Sequence, residues 1–253
     1  GGMVSISDTV PLAAGLPYIT REMTSLSEST MMGTPSYREA EMTTSGVGDL
    51  SVTALVKAYD STHFRVLWNL GVGFPTGSIT EEDYMANAGQ DMQLPYGMQL
   101  GSGSYEFRPG LTFLGQQPDW SWGIQAKAAF ALNDNDQGYR LGRRNELSGW
   151  LARVVSDSVS VSVLARYQMN HDIVGEAEDL MISPAMNPAA DPDGRQRERV
   201  VAGLGVNWLA RQGSLKGHRL ALEILAPVYE RVDEPQLGLE HAIVLGWQKA
   251  YGH

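Results

Sequence analysis

The first chemistry this sequence offers is a set of charges that alternate with apolar residues. Lys57, Arg65, Arg108, Lys127, Arg166, Arg199 and Arg219 each interrupt an apolar stretch on alternate positions, and Asp49, Glu106 and Glu223 do so with the opposite sign. In an extended chain this parity places the charges on one face and the apolar side chains on the other. If the charged face lines a water-filled interior, that interior is net basic. A basic constriction lowers the barrier for anions and raises it for cations. The structural alternative is that Glu106, Arg108 and Glu223 form ion pairs that stiffen and plug a narrow interior.

Other reactive groups are weaker signals. Acid collects in the segments between the apolar stretches, from Glu81, Glu82, Asp83 and Asp91 to Asp172, Glu176, Glu178, Asp179, Asp233 and Glu234. Two clusters, Asn133-Asp134-Asn135-Asp136 and Asp191-Pro192-Asp193-Gly194, carry oxygen ligands of the kind Ca²⁺ takes, but neither has the spacing of an EF-hand loop. Of 11 methionines, most stand in these polar segments, among them Met31, Met32, Met42, Met85, Met92, Met98, Met181 and Met186. Thioethers suit Cu(I), but the spacing is irregular, and loops folded over a mouth would bury methionine without a metal. No metal and no cofactor is assigned. His63, His171, His218, His241 and His253 form no convincing pair with a serine, and G-x-S-x-G is absent. Gly71-Val72-Gly73 lies inside a strand pattern and opens no helix, so it is not a dinucleotide fingerprint. Gly101-Ser102-Gly103 reads as a flexible loop entering a strand. No residue is assigned a catalytic role.

The elements that must position the charges are long alternating strands. From Gly46 to Phe74 the chain reads as a hairpin: Leu50, Val52, Ala54, Val56 and Ala58 share one face, then, after a turn at Asp60 to His63, Phe64, Val66, Trp68, Leu70, Val72 and Phe74 do. From Phe64 to Phe74 the span is roughly 33 Å at about 3.3 Å per residue, and a tilt of about 40° reduces it to roughly 25 Å, the apolar height of a membrane barrel. Similar patterns recur at Val10–Tyr18, Ser104–Leu114, Trp120–Leu132, Arg144–Val155, Val159–Gln168, Arg199–Leu209, Arg219–Tyr229 and His241–Gln248. Pro109 is awkward inside one of them. In Arg144–Val155 the facing is ambiguous, with Trp150 and Leu151 competing for the outer side. Arg21–Ser45 and Gly77–Gly103 read as long polar loops without periodicity, and residues 230–239 as the last loop. Long and short connections alternate, as in outer-membrane barrels. Tyr18, Phe74, Tyr105, Phe130 and Tyr167 then fall at the long-loop end, and Phe64, Phe113, Trp122, Trp208 and Trp247 at the other, forming two aromatic girdles.

The fold class expected is therefore all-β, an antiparallel transmembrane β-barrel in a single domain over residues 1–253. About ten full strands plus a stub are read, and about twelve are expected in a complete barrel, because Gly1–Ile6 resembles a strand end before a turn at Ser7-Asp8-Thr9. No stretch approaches the length of a transmembrane helix. The hydrophobic fraction of 43% looks soluble, but half of every barrel strand faces a polar interior. The soluble alternatives are a β-sandwich or a solenoid. The 28 glycines suit many turns, cysteine is absent, and the net charge of −10 argues against a nucleic-acid partner.

Several segments resemble the outer-membrane family named for the meta-pathway of phenol degradation, whose members are described as transporters. They are Gly46-Val47-Gly48-Asp49-Leu50, Phe74-Pro75-Thr76-Gly77-Ser78, Leu100-Gly101-Ser102-Gly103 with Tyr105, Leu94-Pro95-Tyr96, Asn133 to Gly142 and Leu215 to Leu220. The resemblance runs from about Asp8 onward. It implies an outer-membrane barrel that passes hydrophobic or aromatic compounds, and it brings no catalytic residues. The expected function is passive passage of small solutes, aromatic or anionic, with long loops extracellular and short turns periplasmic. The expected partners are outer-membrane lipid and lipopolysaccharide and a small-molecule solute. The alternatives are a plugged barrel that holds a protein partner, such as an electron-carrying cytochrome, or an assembly subunit, and a membrane-embedded enzyme with a buried Ser-His or acid-His pair.

Overall fold

Alternation sustained over ten or more residues can bury only one face of a strand, and the chain resolves this with one broad antiparallel sheet. The computed structural model describes residues 2–7, 10–31, 34–85, 89–180, 187–233 and 238–249. In chain order the strands are β1 (Gly2–Ser7), β2 (Val10–Gly15), β3 (Tyr18–Met31), β4 (Thr34–Val47), β5 (Leu50–Asp60), β6 (Phe64–Phe74), β7 (Glu82–Met85), β8 (Gln90–Gln93), β9 (Glu106–Gln116), β10 (Trp120–Ala131), β11 (Tyr139–Arg140), β12 (Arg144–Ser156), β13 (Val159–Asn170), β14 (Val174–Gly175), β15 (Arg197–Leu209), β16 (His218–Val232) and β17 (Ala242–Lys249). Eleven of them form the main sheet in the order β1-β2-β5-β6-β9-β10-β12-β13-β15-β16-β17, every neighbour antiparallel. No described helix is long and apolar enough to cross a membrane. The turn read at Ser7-Asp8-Thr9 falls partly outside the described residues, as do Met32, Met181, Met186, Glu234 and His253.

The two faces of this sheet are inverted relative to a soluble domain. In β6, Trp68 is 51% exposed while Asn69 beside it is 4% exposed. Leu70 and Val72 are likewise open, and Gly71 and Gly73 are buried. The same holds for Leu204, Leu220, Leu222, Ile224 and Leu245 farther along. A sandwich would cover this apolar face with a second sheet. A bilayer covers it instead. The largest fully buried apolar side chains lie in the connections at the long-loop end. One cluster joins Tyr96, Tyr139, Ile173 and Ala177, and another joins Met42, Leu94 and Met98.

Four features depart from the sequence expectation. Arg21–Ser45 is not an irregular loop: β3 and β4 pair from Tyr18↔Val47 to Met31↔Thr34 as a ribbon of their own. The membrane strand ends at Gly15, and Tyr18 starts the ribbon. In β12, Leu151 lies opposite the outward Trp122, whereas Trp150 lies opposite Gly123 and faces inward. Bulges shift the register of β5 between Lys57 and Tyr59 and of β16 opposite Val200/Val201. A bulge reverses the parity of everything after it. Tyr59 thus turns outward onto Phe64, and β16 runs on through Glu230 to Val232, residues expected in the last loop. Finally, Gly77–Gly103 holds a small hairpin of β7 and β8 and a 3₁₀ turn at Tyr96–Met98. Pro109 is accommodated inside the sheet because the pairing of β9 to β10 lapses between Gly110 and Phe107, where its missing N–H would have been needed.

Candidate functional site

Strand register builds the interior face in layers. One row crosses the sheet as Asn69, Gly110, Lys127, Glu146, Gln168, Arg199 and Glu230. Two residues nearer the long loops, Gly71 lies beside Arg108, and Arg144, Asn170, Arg197 and Val232 continue that level. On the other side of the first row come Leu67, Thr112, Gln125, Ser148, Arg166 and Val201. Next toward the short turns are Arg65, Leu114, Gly123, Trp150, Leu164, Gly203 and Leu225. The interior is therefore mostly charged near the loops and mostly apolar below, where Arg65 is the charge in its row. Its glycines make room for its large side chains: a Cβ on Gly123 would lie 2.2 Å from the Trp150 ring, and one on Gly203 would lie 2.3 Å from Leu225.

Four carboxylates of the interior each serve two cations, three of them near the loops and Asp60 at the short-turn end. Asp60 pairs with Lys57 at 3.4 Å and Arg65 at 2.9 Å. Glu106, almost fully buried, pairs with Arg108 at 3.4 Å and with Arg144. Glu146 takes Lys127 at 2.9 Å and Arg166 at 3.8 Å, with Gln168 donating at 3.1 Å. Glu230 takes Arg199 at 2.7 Å and Arg197 at 3.9 Å. Eight cations thus share four carboxylates. Arg219, near the short turns, donates to Asn207 Oδ1 at 2.7 Å, and Glu223 makes no ion pair among the described residues. Sequence reasoning missed Arg144, Arg197, Asp60, Glu146 and Glu230. Arg144 and Glu146 lay in the strand of ambiguous facing. Asp60 and Glu230 lie just beyond bulges.

Asp49 has another use. Its Oδ1 accepts from Gly77 N at 3.0 Å, and its Oδ2 accepts from Ser102 N at 2.8 Å and Ser102 Oγ at 2.6 Å. Thr76 Oγ1 bridges Gly48 O and Leu50 N. Gly101 sits so close to Gly77 that a Cβ would meet the Gly77 carbonyl oxygen at 2.3 Å. The Gly101–Gly103 segment is therefore a packed junction rather than an open flexible loop.

Above the charged rows, the ribbon root and the loops line two neighbouring cavities that open to solvent. The inner one, about 500 Å³, is bounded by Gly15, Asp49, Ser51, Glu106, Arg108 and Arg144. The outer one, about 710 Å³, runs past Tyr96, Asn170, His171, Ile173, Arg195 and Arg197. Arg21, Leu141 and Arg144 border both. Arg21 reaches this position because Arg21 Nη1 donates to Gly97 O, while Thr44 of the same ribbon donates to Met98 O at 2.8 Å. Burial lowers the affinity of the Arg21 and Arg195 guanidinium groups for their protons, and Arg195 is further pressed by Arg197 and Arg21 while Tyr96 and Asp191 act in the opposite sense. The loop wall is fixed by Tyr96 and Tyr139 in edge contact at 4.9 Å. Burial pushes the Tyr139 phenol up to about 12.

The remaining candidates are placed as follows. Phe64 meets Phe113 and Trp122 with ring centroids 6.3 and 6.1 Å apart at the short-turn end, and Phe74 meets Tyr105 at 6.2 Å at the other. Phe130 pairs with Phe107, Tyr167 with Val200, and Trp208 with Leu220. Trp247 Nε1 donates to His218 Nδ1 at 3.0 Å, and His171 Nδ1 lies 3.0 Å from Arg143 O. Asn135 Oδ1 accepts from Gln137 N and Tyr139 N, Asp134 pairs with Arg140, and Asp191 accepts from Asp193 N, so both acidic clusters brace their own loops. No group of three or more His, Cys, Asp or Glu is gathered among the described residues.

A lipid-facing apolar sheet surface around a charged interior defines an antiparallel transmembrane β-barrel. The fold is similar to the crystal structure of an outer-membrane channel from Pseudomonas putida F1, at TM-score 0.61 and 12% identity, over 97% of this chain and 78% of that one. The chain belongs to the family described as "Putative MetA-pathway of phenol degradation", whose sequence profile matches residues 12–218. No curated protein matches it.

Proposed function

We propose that this chain is an outer-membrane channel that passes small solutes passively and favours anions, aromatic ones included. The observation that carries the reading is the charge ratio on the path. Eight cations lean on four carboxylates, and Arg21 and Arg195 add two more at the outer cavity. The surplus positive charge attracts anions into a low-dielectric constriction. The apolar row below, with Leu114, Trp150, Leu164 and Leu225, supports passage of flat apolar bodies. The family name and the channel-like fold fit this reading. The proposed orientation has the ribbon and long loops outside the cell and the short turns in the periplasm, with lipid and lipopolysaccharide against the apolar face.

The test is single-channel recording in planar bilayers, with reversal potentials in a salt gradient. Discrete steps with anion preference are expected, and Arg108→Ala and Arg166→Ala should reduce that preference. A barrel that inserts and stays silent, or that prefers cations, overturns the reading. Silence favours the second reading, a plugged barrel serving a protein partner, to which the interlocked ion pairs and the inward Trp150 would then belong.

A further inference from the structure

The outer cavity has a chemistry that the conductance reading does not require. Arg21 and Arg195 converge on one backbone unit: Arg21 donates to Gly97 O, and a Cβ on Gly97 would lie 3.0 Å from Arg195 Nη2. Neither guanidinium has a carboxylate within ion-pair distance among the described residues, and the cavity wall contains no aspartate or glutamate. The one described side-chain bond of Arg195 is a long one, 3.4 Å to Ala189 O. Two half-buried cations that meet at one backbone unit, with donors to spare, favour an anion between them. The fork of an arginine matches the two oxygens of a carboxylate. The lining also holds the apolar side chains of Met23, Tyr96, Leu141 and Ile173, alongside polar Thr24, Asn170 and Asn187. The Tyr96 ring is held in place because its hydroxyl accepts from Ala177 N at 3.0 Å.

We propose that the outer cavity binds an organic monocarboxylate with a flat apolar body. The carboxylate lies between Arg21 and Arg195, and the body lies against Tyr96, Leu141 and Ile173. A free inorganic anion would satisfy the arginines and waste the wall. A neutral aromatic would use the wall and leave the charges unmet. The site deepens the channel reading and rests on it for its biological role, as the place where such a solute is captured before the passage.

The test is isothermal titration of the detergent-purified protein with sodium benzoate, with acetate, benzyl alcohol and inorganic phosphate as comparisons. Benzoate should bind at least about tenfold more tightly than each of the three, the scale of one charge-assisted contact or one buried apolar face. Arg195→Gln and Arg21→Gln should each weaken benzoate by about tenfold. Arg195→Lys, which keeps the charge and loses the fork, should recover only part of it. Circular dichroism confirms the strand content of each variant, and if Arg195→Gln does not fold, Arg21→Gln and Arg195→Lys carry the comparison. Benzoate affinity equal to that of acetate or phosphate overturns the apolar half of the site. Affinity equal to that of benzyl alcohol, or unchanged in the arginine variants, overturns the cationic half. Absence of benzoate binding overturns the site whole and leaves an anion current standing. Benzoate binding by a barrel that is silent in bilayers overturns the channel reading and leaves the site.

Discussion

Asp49 carries more of the architecture than its charge suggests. Its carboxylate collects three donors from two segments, Gly77 N, Ser102 N and Ser102 Oγ, and so ties the root of β5 to the loops after β6 and before β9. The segments around Gly48, Thr76 and Gly101 that mark the family in sequence are thus one junction in space. Asp49→Ala should cost roughly 2–4 kcal/mol, because buried amide donors lose a charged acceptor and regain water only in part. Thermal unfolding and protease cleavage between residues 77 and 103 would check it, and an unchanged digestion pattern would refute the tie. That these segments recur in a family could be read from the chain. That Asp49 faces loop amides rather than the passage could not, since its partners lie 28 and 53 residues away. Tyr139 gives a second residue-level prediction. Its phenol titrates near 10 when unfolded and at about 12 when buried. Its contribution to loop stability is full below pH 10. It falls as pH rises through the folded value, because the opened form ionises first, by roughly 1.4 kcal/mol per pH unit. Burial also raises the Tyr96 phenol, so tyrosinate absorbance should show a late-titrating component, and Tyr139→Phe should remove its latest part together with most of the alkaline loosening of the loops.

At the scale of elements, period-two counting located all eleven strands of the main sheet but lost parity wherever the ladder slipped. The bulge after Lys57 turns Tyr59 to lipid and Asp60 inward, and the bulge near Val228 does the same for Tyr229 and Glu230. Two of the four shared carboxylates were hidden in this way. Nothing in the local composition marks an extra residue in a strand, because a bulge is fixed by the partner's register. The ribbon of β3 and β4 was missed for a different reason. The ribbon has no lipid-facing stripe, and the face it buries at its root is short and mixed, with Met42 beside Thr44. Its only signal is the run of β-favouring threonines at Thr20, Thr24, Thr30, Thr34, Thr43 and Thr44. In β12 the contest between Trp150 and Leu151 is settled by Gly123, whose bare backbone admits an indole. Trp150→Ala should therefore widen the passage and raise single-channel conductance. It should cost about 1–3 kcal/mol, less than a sealed core aromatic because water refills the space. Conductance unchanged or lowered would place the indole away from the path.

For the whole molecule, charge is separated by position. The chain carries a net charge of −10, yet the interior face of its sheet carries cations in surplus, because the excess acid lies in the segments between the strands. Those outer acids are screened by ordinary salt within about 10 Å, whereas charges facing a narrow interior are screened far less. Two kinds of selectivity then respond differently to ionic strength. If anion preference came from size alone, the ratio of chloride to potassium permeability would not change with salt. If it comes from Arg108, Arg144, Arg166 and Arg199 facing the path, the ratio should be highest in dilute salt. It should fall steadily toward about 1 M, where the screening length drops to about 3 Å. Reversal potentials measured at a constant gradient and rising mean concentration decide between them. Glu146→Gln sharpens the comparison: it frees Lys127 and Arg166 from their shared carboxylate, so the low-salt ratio should rise above that of the unaltered protein while the high-salt ratio changes little. A low-salt ratio that falls in Glu146→Gln would mean the paired cations matter as bracing for the strands rather than as charges on the path.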